Sequence, residues 1–133
     1  MSATDFYPDD RQPTVRVVAM PEFTNATGNI FGGWIMAQMD LAGSIIAVER
    51  ADGPVATVAV QSMAFHAPVH VGDLLSCYAE IERSGRTSVT VRIDVHVRRH
   101  QRSATPPSEK VTEAVITYVK VDPEGRPSPL PQP

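Results

Sequence analysis

The chain has 133 residues, of which 42% are hydrophobic and 20% are charged, and its net charge is -3. This length fits one domain that can bury a core of its own. The small negative charge argues against a general nucleic-acid-binding protein and against binding to anionic membranes through overall charge.

The predicted elements follow a polar N-terminal arm, residues 1–13. This arm lacks the basic and apolar segments of a secretory signal, and the single cysteine, Cys77, cannot form an internal disulfide. We therefore expect a cytoplasmic protein. A short Val-rich strand is predicted over Thr14–Met20, and a loop then leads into a glycine-rich turn.

The most apolar stretch of the chain predicts a helix from about Gly33 to Arg50. The segment Asp52-Gly53-Pro54 is expected to end the helix, because Gly53 can take the left-handed conformation and Pro54 prevents continuation. Polar residues interrupt the stretch, which is also too short to span a bilayer. We therefore expect a helix inside a folded domain.

After the helix, hydrophobic residues recur with a period of two, which is typical of strands. Four strands are predicted, at Val55–Phe65, Asp73–Arg83, Thr87–Arg99 and Lys110–Val121. In the third of these strands, Val and Ile alternate with polar residues, so one face is expected in the core and the other in solvent or against a partner. One long helix against an antiparallel sheet is an α+β fold of two layers.

The predicted domain covers residues 14–126, and the proline-rich residues 127–133 are predicted to form an extended tail. A helix that is apolar on nearly all sides cannot be covered by one face of a sheet. We therefore expect a second copy of the chain to cover the rest, which predicts at least a homodimer.

Asp40 lies within the apolar helix, where carboxylates are seldom found. It comes too late in the helix to be its N-cap, and its apolar neighbours argue against a surface position. One interpretation is a structural hydrogen bond to nearby backbone. The other is a general base or nucleophile, because a poorly solvated carboxylate interacts strongly with a water molecule or a carbonyl carbon.

Glycines precede this aspartate at Gly28, Gly32 and Gly33. They allow close approach to a ligand, and the N–H groups of the first helical turn can bind a developing oxyanion. Asp40 follows Gly33 by seven positions, about two helical turns, so both are expected on one side of the helix. The alternative is that the glycines only form a tight turn.

Three further polar residues are candidates for the same site. Ser44 follows Asp40 at i+4 and can hydrogen-bond the carboxylate or the attacking water, or instead a backbone carbonyl. Asn25 and Asn29 can orient a water or a carbonyl oxygen, but asparagine is also common in turns for backbone reasons.

Several separated motifs of this chain resemble those of the YciA-type acyl-CoA thioesterases of the hotdog superfamily. The matching segments are residues 24–40, residues 57–68, Val71-Gly72-Asp73, Gly85-Arg86-Thr87-Ser88 and residues 118–122. The resemblance implies a hotdog fold, in which an antiparallel sheet wraps round a central helix. It also implies hydrolysis of acyl-CoA to free CoA and a carboxylic acid, without a metal or other cofactor, at sites on a dimer interface in hexamers built as trimers of dimers.

The resemblance also implies roles for individual residues. Asp40 matches the catalytic aspartate of the family, and Gly32 and Gly33 match the helix-start amides that polarise the thioester carbonyl. Asn29 stands where the family often has Asp. Phe31 replaces the His that other hotdog thioesterases carry before the paired glycines, which argues against a His-based mechanism and against a dehydratase or hydratase.

The segment Gly85-Arg86-Thr87-Ser88 resembles the part of the family that binds CoA, and Arg86 is the preferred phosphate ligand because Arg suits phosphate oxygens. Four other basic residues are secondary candidates, and the alternative for all of them is a solvated surface: Arg98, Arg99, Arg102 and Lys110. The spacing of the four histidines does not form a metal set. A non-catalytic module that binds acyl-CoA is the alternative function.

Overall fold

The computed structural model describes Pro8, residues 10–101 and residues 103–133. Most of the predicted N-terminal arm lies outside these residues, as does Arg102. Within them the chain forms one α-helix, α1 (Gly32–Ala51), and five strands. The strands are β1 (Val15–Val18), β2 (Val55–Phe65), β3 (Leu74–Ser84), β4 (Ser88–Arg98) and β5 (Ser108–Lys120).

The five strands form one antiparallel sheet in the order β1-β3-β4-β5-β2. Helix α1 contacts all five strands and packs most extensively against β4 and β3. Strand β2 follows the helix directly and takes the edge position beside β5. The predicted α+β architecture, one long helix against an antiparallel sheet, is therefore confirmed.

The period-two pattern places the core correctly. The apolar residues of β4 that the alternation assigned to the core are fully buried: Val89, Val91, Ile93, Val95 and Val97. The opposite face is less solvated than expected, because Thr90 and His96 are also buried there. Part of this outer face is covered by Arg11, whose guanidinium lies 5.0 Å from the ring centre of Tyr78.

The end of α1 differs in one detail from the prediction. Asp52, and not Gly53, adopts the left-handed conformation, with φ of 51°, and its N–H donates to the carbonyl of Val48 at 2.8 Å. Aspartate tolerates this region better than most residues, so Asp52 itself can provide the left-handed residue that ends the helix. Pro54 then prevents continuation, as predicted.

Helix α1 carries apolar side chains on both its buried and its exposed sides. The buried side is formed by Ile35, Met39, Ala42, Gly43, Ala47 and Ala51, and the exposed apolar residues are Met36, Leu41, Ile45 and Val48. On β2, Val58 and Val60 are also exposed. In the described part of the chain, no helix is both long enough and apolar enough to cross a membrane.

The proline-rich C-terminal segment packs onto the domain. Pro127 pairs with Val121 in an antiparallel bridge, and the backbone N–H of Ser128 donates to the carbonyl of Lys120 at 2.8 Å. Leu130 is only 8% exposed and belongs to the hydrophobic core.

Candidate active site

The carboxylate of Asp40 is half-buried on α1 and is held by two hydroxyl groups. Its Oδ1 accepts a hydrogen bond from Oγ1 of Thr57 at 2.8 Å and another from Oη of Tyr118 at 3.0 Å. The same phenol oxygen lies 3.0 Å from the backbone carbonyl oxygen of Asp40. The carboxylate is thus oriented by neighbouring strands while remaining partly open.

The sheet register brings these two hydroxyls together. Thr57 on β2 and Tyr118 on β5 are direct cross-strand partners, and both face α1 at the level of Asp40. Burial raises the pKa of the Tyr118 phenol well above its usual value, and the charge of Asp40 and the hydrogen bond to it add to this effect. Tyr118 therefore stays protonated and acts as a donor.

The sequence interpretation did not assign Thr57 or Tyr118 to the site. A usable signal was present at Tyr118, because a tyrosine in a buried strand needs a partner for its hydroxyl and Asp40 is the unusual polar group in the core. The choice of partner depends on the β2–β5 register, which the sequence pattern does not contain.

Asp40 and Gly33 line the same cavity, of about 230 Å³, as their spacing predicted. The rest of the lining is largely apolar: Met36, Ala37, Thr57, Val60, Met63 and Ile116. A neighbouring cavity of about 370 Å³ is lined in part by Gly32, Asn25, Asn29 and Phe65. The start of the helix therefore lies between the cavity that Asp40 lines and the cavity that the side chains of Asn25 and Asn29 line.

The first turn of α1 is open to a ligand at its amides. Phe31 is the N-cap residue and makes no side-chain capping hydrogen bond. A Cβ added to Gly32 would lie 3.8 Å from the ring of Phe65, an ordinary contact, so packing within the chain does not require glycine there. At Gly28 the reason is conformational, because its φ of +88° favours glycine.

The two asparagines differ in how far the fold already uses them. Oδ1 of Asn25 accepts hydrogen bonds from the N–H and the hydroxyl of Thr27 and from the N–H of Asn29, at 2.7–3.1 Å. This is the turn-forming alternative, so the side-chain oxygen of Asn25 is committed to the loop. Asn29 is half-buried beside Gly32 in the second cavity.

Ser44 does not contact the carboxylate. Its hydroxyl donates to the backbone carbonyl of Leu41 at 2.8 Å, and it is absent from the lining of the Asp40 cavity. The prediction of a hydrogen bond to Asp40 is therefore wrong in this structure, and the alternative holds. A serine in a helix readily satisfies its hydroxyl on the preceding turn.

The predicted CoA-binding residues form the turn between β3 and β4. The N–H of Gly85 donates to the carbonyl of Ser88 at 2.8 Å, while the carbonyls of Arg86 and Thr87 accept from Leu130 and Lys120, both at 2.9 Å. With Arg50 and the C-terminal segment, Gly85 and Arg86 line an open cavity of about 540 Å³. It shares no lining residue with the Asp40 cavity.

Two of the secondary basic candidates are already used in ion pairs. The side chain of Arg99 is 6% exposed and bonds Asp73 and Glu109, both at 2.7 Å, beside a cavity of about 880 Å³. Lys110 lies 2.6 Å from Glu113 and 3.1 Å from Asp94. Their charges are therefore compensated within the chain, which makes them poor phosphate ligands.

Among the described residues, the one thiol is buried and no cluster of metal-ligating side chains occurs. Cys77 is buried on β3, and burial raises the pKa of its thiol to about 12, so the thiolate is not populated near neutral pH. Across residues 10–101 and 103–133 no group of three or more His, Cys, Asp or Glu is arranged to hold a metal ion.

Comparisons with known proteins agree with the predicted resemblance. Residues 27–104 match the sequence profile of the thioesterase superfamily. The acyl-CoA thioester hydrolase YciA of Escherichia coli is 50% identical over 117 residues, which cover 88% of this chain and 89% of that protein.

Solved structures extend the agreement to the fold. A hexameric hotdog-fold thioesterase of Campylobacter jejuni superposes with a TM-score of 0.86 and 40% identity, covering 92% of each chain. A hexameric broad-specificity acyl-coenzyme A thioesterase superposes with a TM-score of 0.85 and 44% identity, covering 92% of this chain and 85% of that one. The predicted family and fold are therefore confirmed, and the chain belongs to the thioesterase superfamily, with its hotdog fold.

Proposed function

We propose that this protein is an acyl-CoA thioester hydrolase that releases free CoA and a carboxylic acid. The observation that carries the proposal is the oriented carboxylate of Asp40, which lines an apolar cavity together with the helix-start residue Gly33. The Escherichia coli relative that is 50% identical bears the same activity in its name. An apolar cavity with a few polar groups suits an acyl chain next to a reacting thioester.

In the proposed mechanism, Asp40 either removes a proton from the attacking water or attacks the thioester carbon itself. Attack at the carbonyl carbon places negative charge on the carbonyl oxygen, and the amides of Gly32 and Gly33 stabilise that charge with the positive end of α1. Collapse of the tetrahedral intermediate breaks the carbon–sulfur bond. If Asp40 acts as the base, the proton that it took from water passes to the sulfur and CoA leaves as a thiol. If Asp40 attacks directly, the CoA thiolate takes a proton from water, and a water molecule then hydrolyses the acyl–Asp40 anhydride, which releases the acid and restores the carboxylate.

Asn29 is proposed to position the carbonyl oxygen or the water, because it lies beside Gly32. Asn25 is proposed to act indirectly, by holding the loop that carries Asn29. For Ser44, the bond to the Leu41 carbonyl supports a role in helix structure instead of catalysis.

The β3–β4 turn, Gly85-Arg86-Thr87-Ser88, is proposed to bind the CoA nucleotide, with Arg86 on a phosphate. The exposed guanidinium of Arg86 and the nearby guanidinium of Arg50 give this open cavity a positive charge. Arg50 follows Asp40 by ten helical positions, about 15 Å along the axis. An extended pantetheine arm bridges a separation of this size.

The working unit is proposed to be a homo-oligomer, at least a dimer and in full a hexamer built as a trimer of dimers. The exposed apolar residues of α1 and β2 need a cover, and the solved relatives are hexameric. The proposed reaction needs a base and oxyanion donors, which the chain supplies, and no cofactor beyond the CoA of the substrate. The proposed location is the cytoplasm, which the single cysteine supports.

The test is thiol release from a panel of acyl-CoA thioesters by the wild type and by Asp40→Asn. Asparagine keeps the shape but cannot act as a base or a carboxylate nucleophile, so kcat is expected to fall by about 100-fold or more. Circular dichroism and CoA titration serve as controls for fold and binding. Wild-type turnover by the Asn variant would exclude this mechanism, and binding without thiol release by the wild type would identify a non-catalytic acyl-CoA-binding module.

A further inference from the structure

The two carboxylate oxygens of Asp40 have different surroundings. Oδ1 accepts hydrogen bonds from Thr57 and Tyr118, whereas no group in residues 10–101 or 103–133 donates a hydrogen bond to Oδ2. We propose that Tyr118 is a positioning residue that holds Oδ1 in place and thereby presents Oδ2 as the reacting oxygen. The inference rests on the proposed function of Asp40 and assigns a task to each of its oxygens.

Tyr118 is suited to this task because it is immobile. Its side chain is completely buried on β5, and its Oη lies 3.0 Å from Oδ1 and 3.0 Å from the backbone carbonyl oxygen of Asp40. The single phenol proton is therefore shared between the carboxylate and the backbone carbonyl of the same residue. The terminal torsion of an aspartate is otherwise broad, so this contact selects one orientation.

Gly43 makes the approach of Tyr118 to the helix possible. It follows Asp40 by three positions on α1 and is buried. A Cβ added there would lie 2.9 Å from Cζ and 3.0 Å from Cε2 of Tyr118, and it would overlap Oη. Any other residue at this position would push the phenol away from Asp40. The glycine is therefore required by the Tyr118–Asp40 contact.

Thr57 shares Oδ1 but cannot replace Tyr118. It lies on the edge strand β2 and is exposed, whereas the phenol is enclosed by the core. With both donors on Oδ1, the lone pairs of Oδ2 remain available to a water or a thioester carbon. Loss of the phenol donor would leave the hydroxyl of the exposed Thr57 as the one remaining donor to Oδ1 among the described residues, so the carboxylate would be held less firmly.

The test compares Tyr118→Phe with Tyr78→Phe, a matched loss of a phenol hydroxyl from a buried tyrosine on the outer face of the sheet. Tyr118→Phe is expected to lower kcat by about 10-fold or more, because the base is less well oriented. KM for acyl-CoA is expected to change by less than about two-fold, since the phenol touches no substrate.

Gly43→Ala provides a second route to the same result, because it displaces the phenol without removing it. It is expected to lower kcat in the same direction, and it serves as the deciding variant should Tyr118→Phe fail to fold. The proposal is overturned if the variant that folds keeps the wild-type kcat, or if only KM changes. Failure of the proposed function itself is separately visible, because Asp40→Asn would then remain active whatever Tyr118→Phe does.

Discussion

Individual polar side chains inside this domain are placed by hydrogen bonds that cross the sheet. Asp40 is half-buried and is held by hydroxyls from two strands, so its carboxylate does not need a cationic partner. His96 is the contrasting case, because it is 7% exposed and its Nδ1 has no hydrogen-bond partner within the described residues. The hydrogen bonds orient the charged carboxylate of Asp40, whereas burial disfavours the charged form of His96.

The environment of His96 leads to a prediction about pH and stability. Burial lowers the pKa of His96, and the charges of Lys110 and Arg11 act in the same direction against the opposing charge of Asp94. In the unfolded chain the histidine binds a proton near its ordinary pKa, so protons favour unfolding below that pH. The stability is fully present above about pH 6.5 and is expected to fall as the pH drops from there.

Urea unfolding at pH 7 and pH 5 measures this effect. The decrease in the free energy of unfolding from pH 7 to pH 5 is expected to be smaller in His96→Gln than in the wild type, since glutamine does not titrate. The exposed His70→Gln is the control and should leave the loss unchanged. Equal losses in the wild type and His96→Gln would show that other groups cause the acid sensitivity.

At the scale of elements, the C-terminal segment supports the β3–β4 turn. After β5 the carboxylate of Asp122 accepts the N–H groups of Glu124 and Arg126, both at 2.9 Å, which turns the chain back. Leu130 then enters the core while its N–H donates to the carbonyl of Arg86, and Arg50 bonds the carbonyl of Pro131 at 2.8 Å. The segment thus ties the proposed phosphate-binding turn to the end of α1.

Leu130→Ala is expected to lower the free energy of unfolding by about 2 kcal/mol, because it leaves a cavity in the core. It is also expected to raise KM for acyl-CoA several-fold, since the Arg86 turn loses a support. Thioesters of N-acetylcysteamine lack the nucleotide, so their kcat/KM should change little. Gln132→Ala, an exposed position in the same segment, is the control. An equal decrease in kcat/KM with acyl-CoA and with the N-acetylcysteamine thioesters would mean that the C-terminal segment affects the domain as a whole.

At the scale of the whole molecule, apolar residues of α1 and β2 are exposed in the described part of the single chain. They include Met36, Leu41, Ile45 and Val48 on α1 with Val58 and Val60 on β2. Two of them, Met36 and Val60, also line the cavity that contains Asp40. A second copy of the chain that covers this apolar surface would therefore also contact the proposed site.

Ile45→Lys tests this surface by placing a charge at a position that is 44% exposed in the single chain. A lysine buried against a second copy is unfavourable, so the oligomer is expected to dissociate and turnover to fall with it. Light scattering after size-exclusion chromatography gives the mass. Glu124→Lys introduces a lysine in an exposed turn and should leave the mass unchanged. An intact oligomer with Ile45→Lys would place the interface elsewhere.

The sequence by itself determined the helix and the strands, and it singled out Asp40 as the unusual carboxylate of the helix. Helix α1 differs from its predicted bounds by one residue at each end, and β2 has the predicted bounds, Val55–Phe65. Hydrophobic periodicity and glycine–proline signals are local, so the chain carries them without knowledge of the fold. The spacing from Gly33 to Asp40 is local in the same way: it predicted that both lie on one side of the helix, and both line one cavity.

Only the tertiary structure decided which polar groups meet. Tyr118 reaches Asp40 across a separation of 78 residues, through the register that pairs it with Thr57. The structure likewise shows that Oδ1 of Asn25 is used by its own loop and that the hydroxyl of Ser44 bonds the carbonyl of Leu41. A shift of one residue in the register of β2 or β5 would turn Thr57 or Tyr118 to the other face of the sheet. The register is set by packing of the whole sheet against the helix, and not by any local segment.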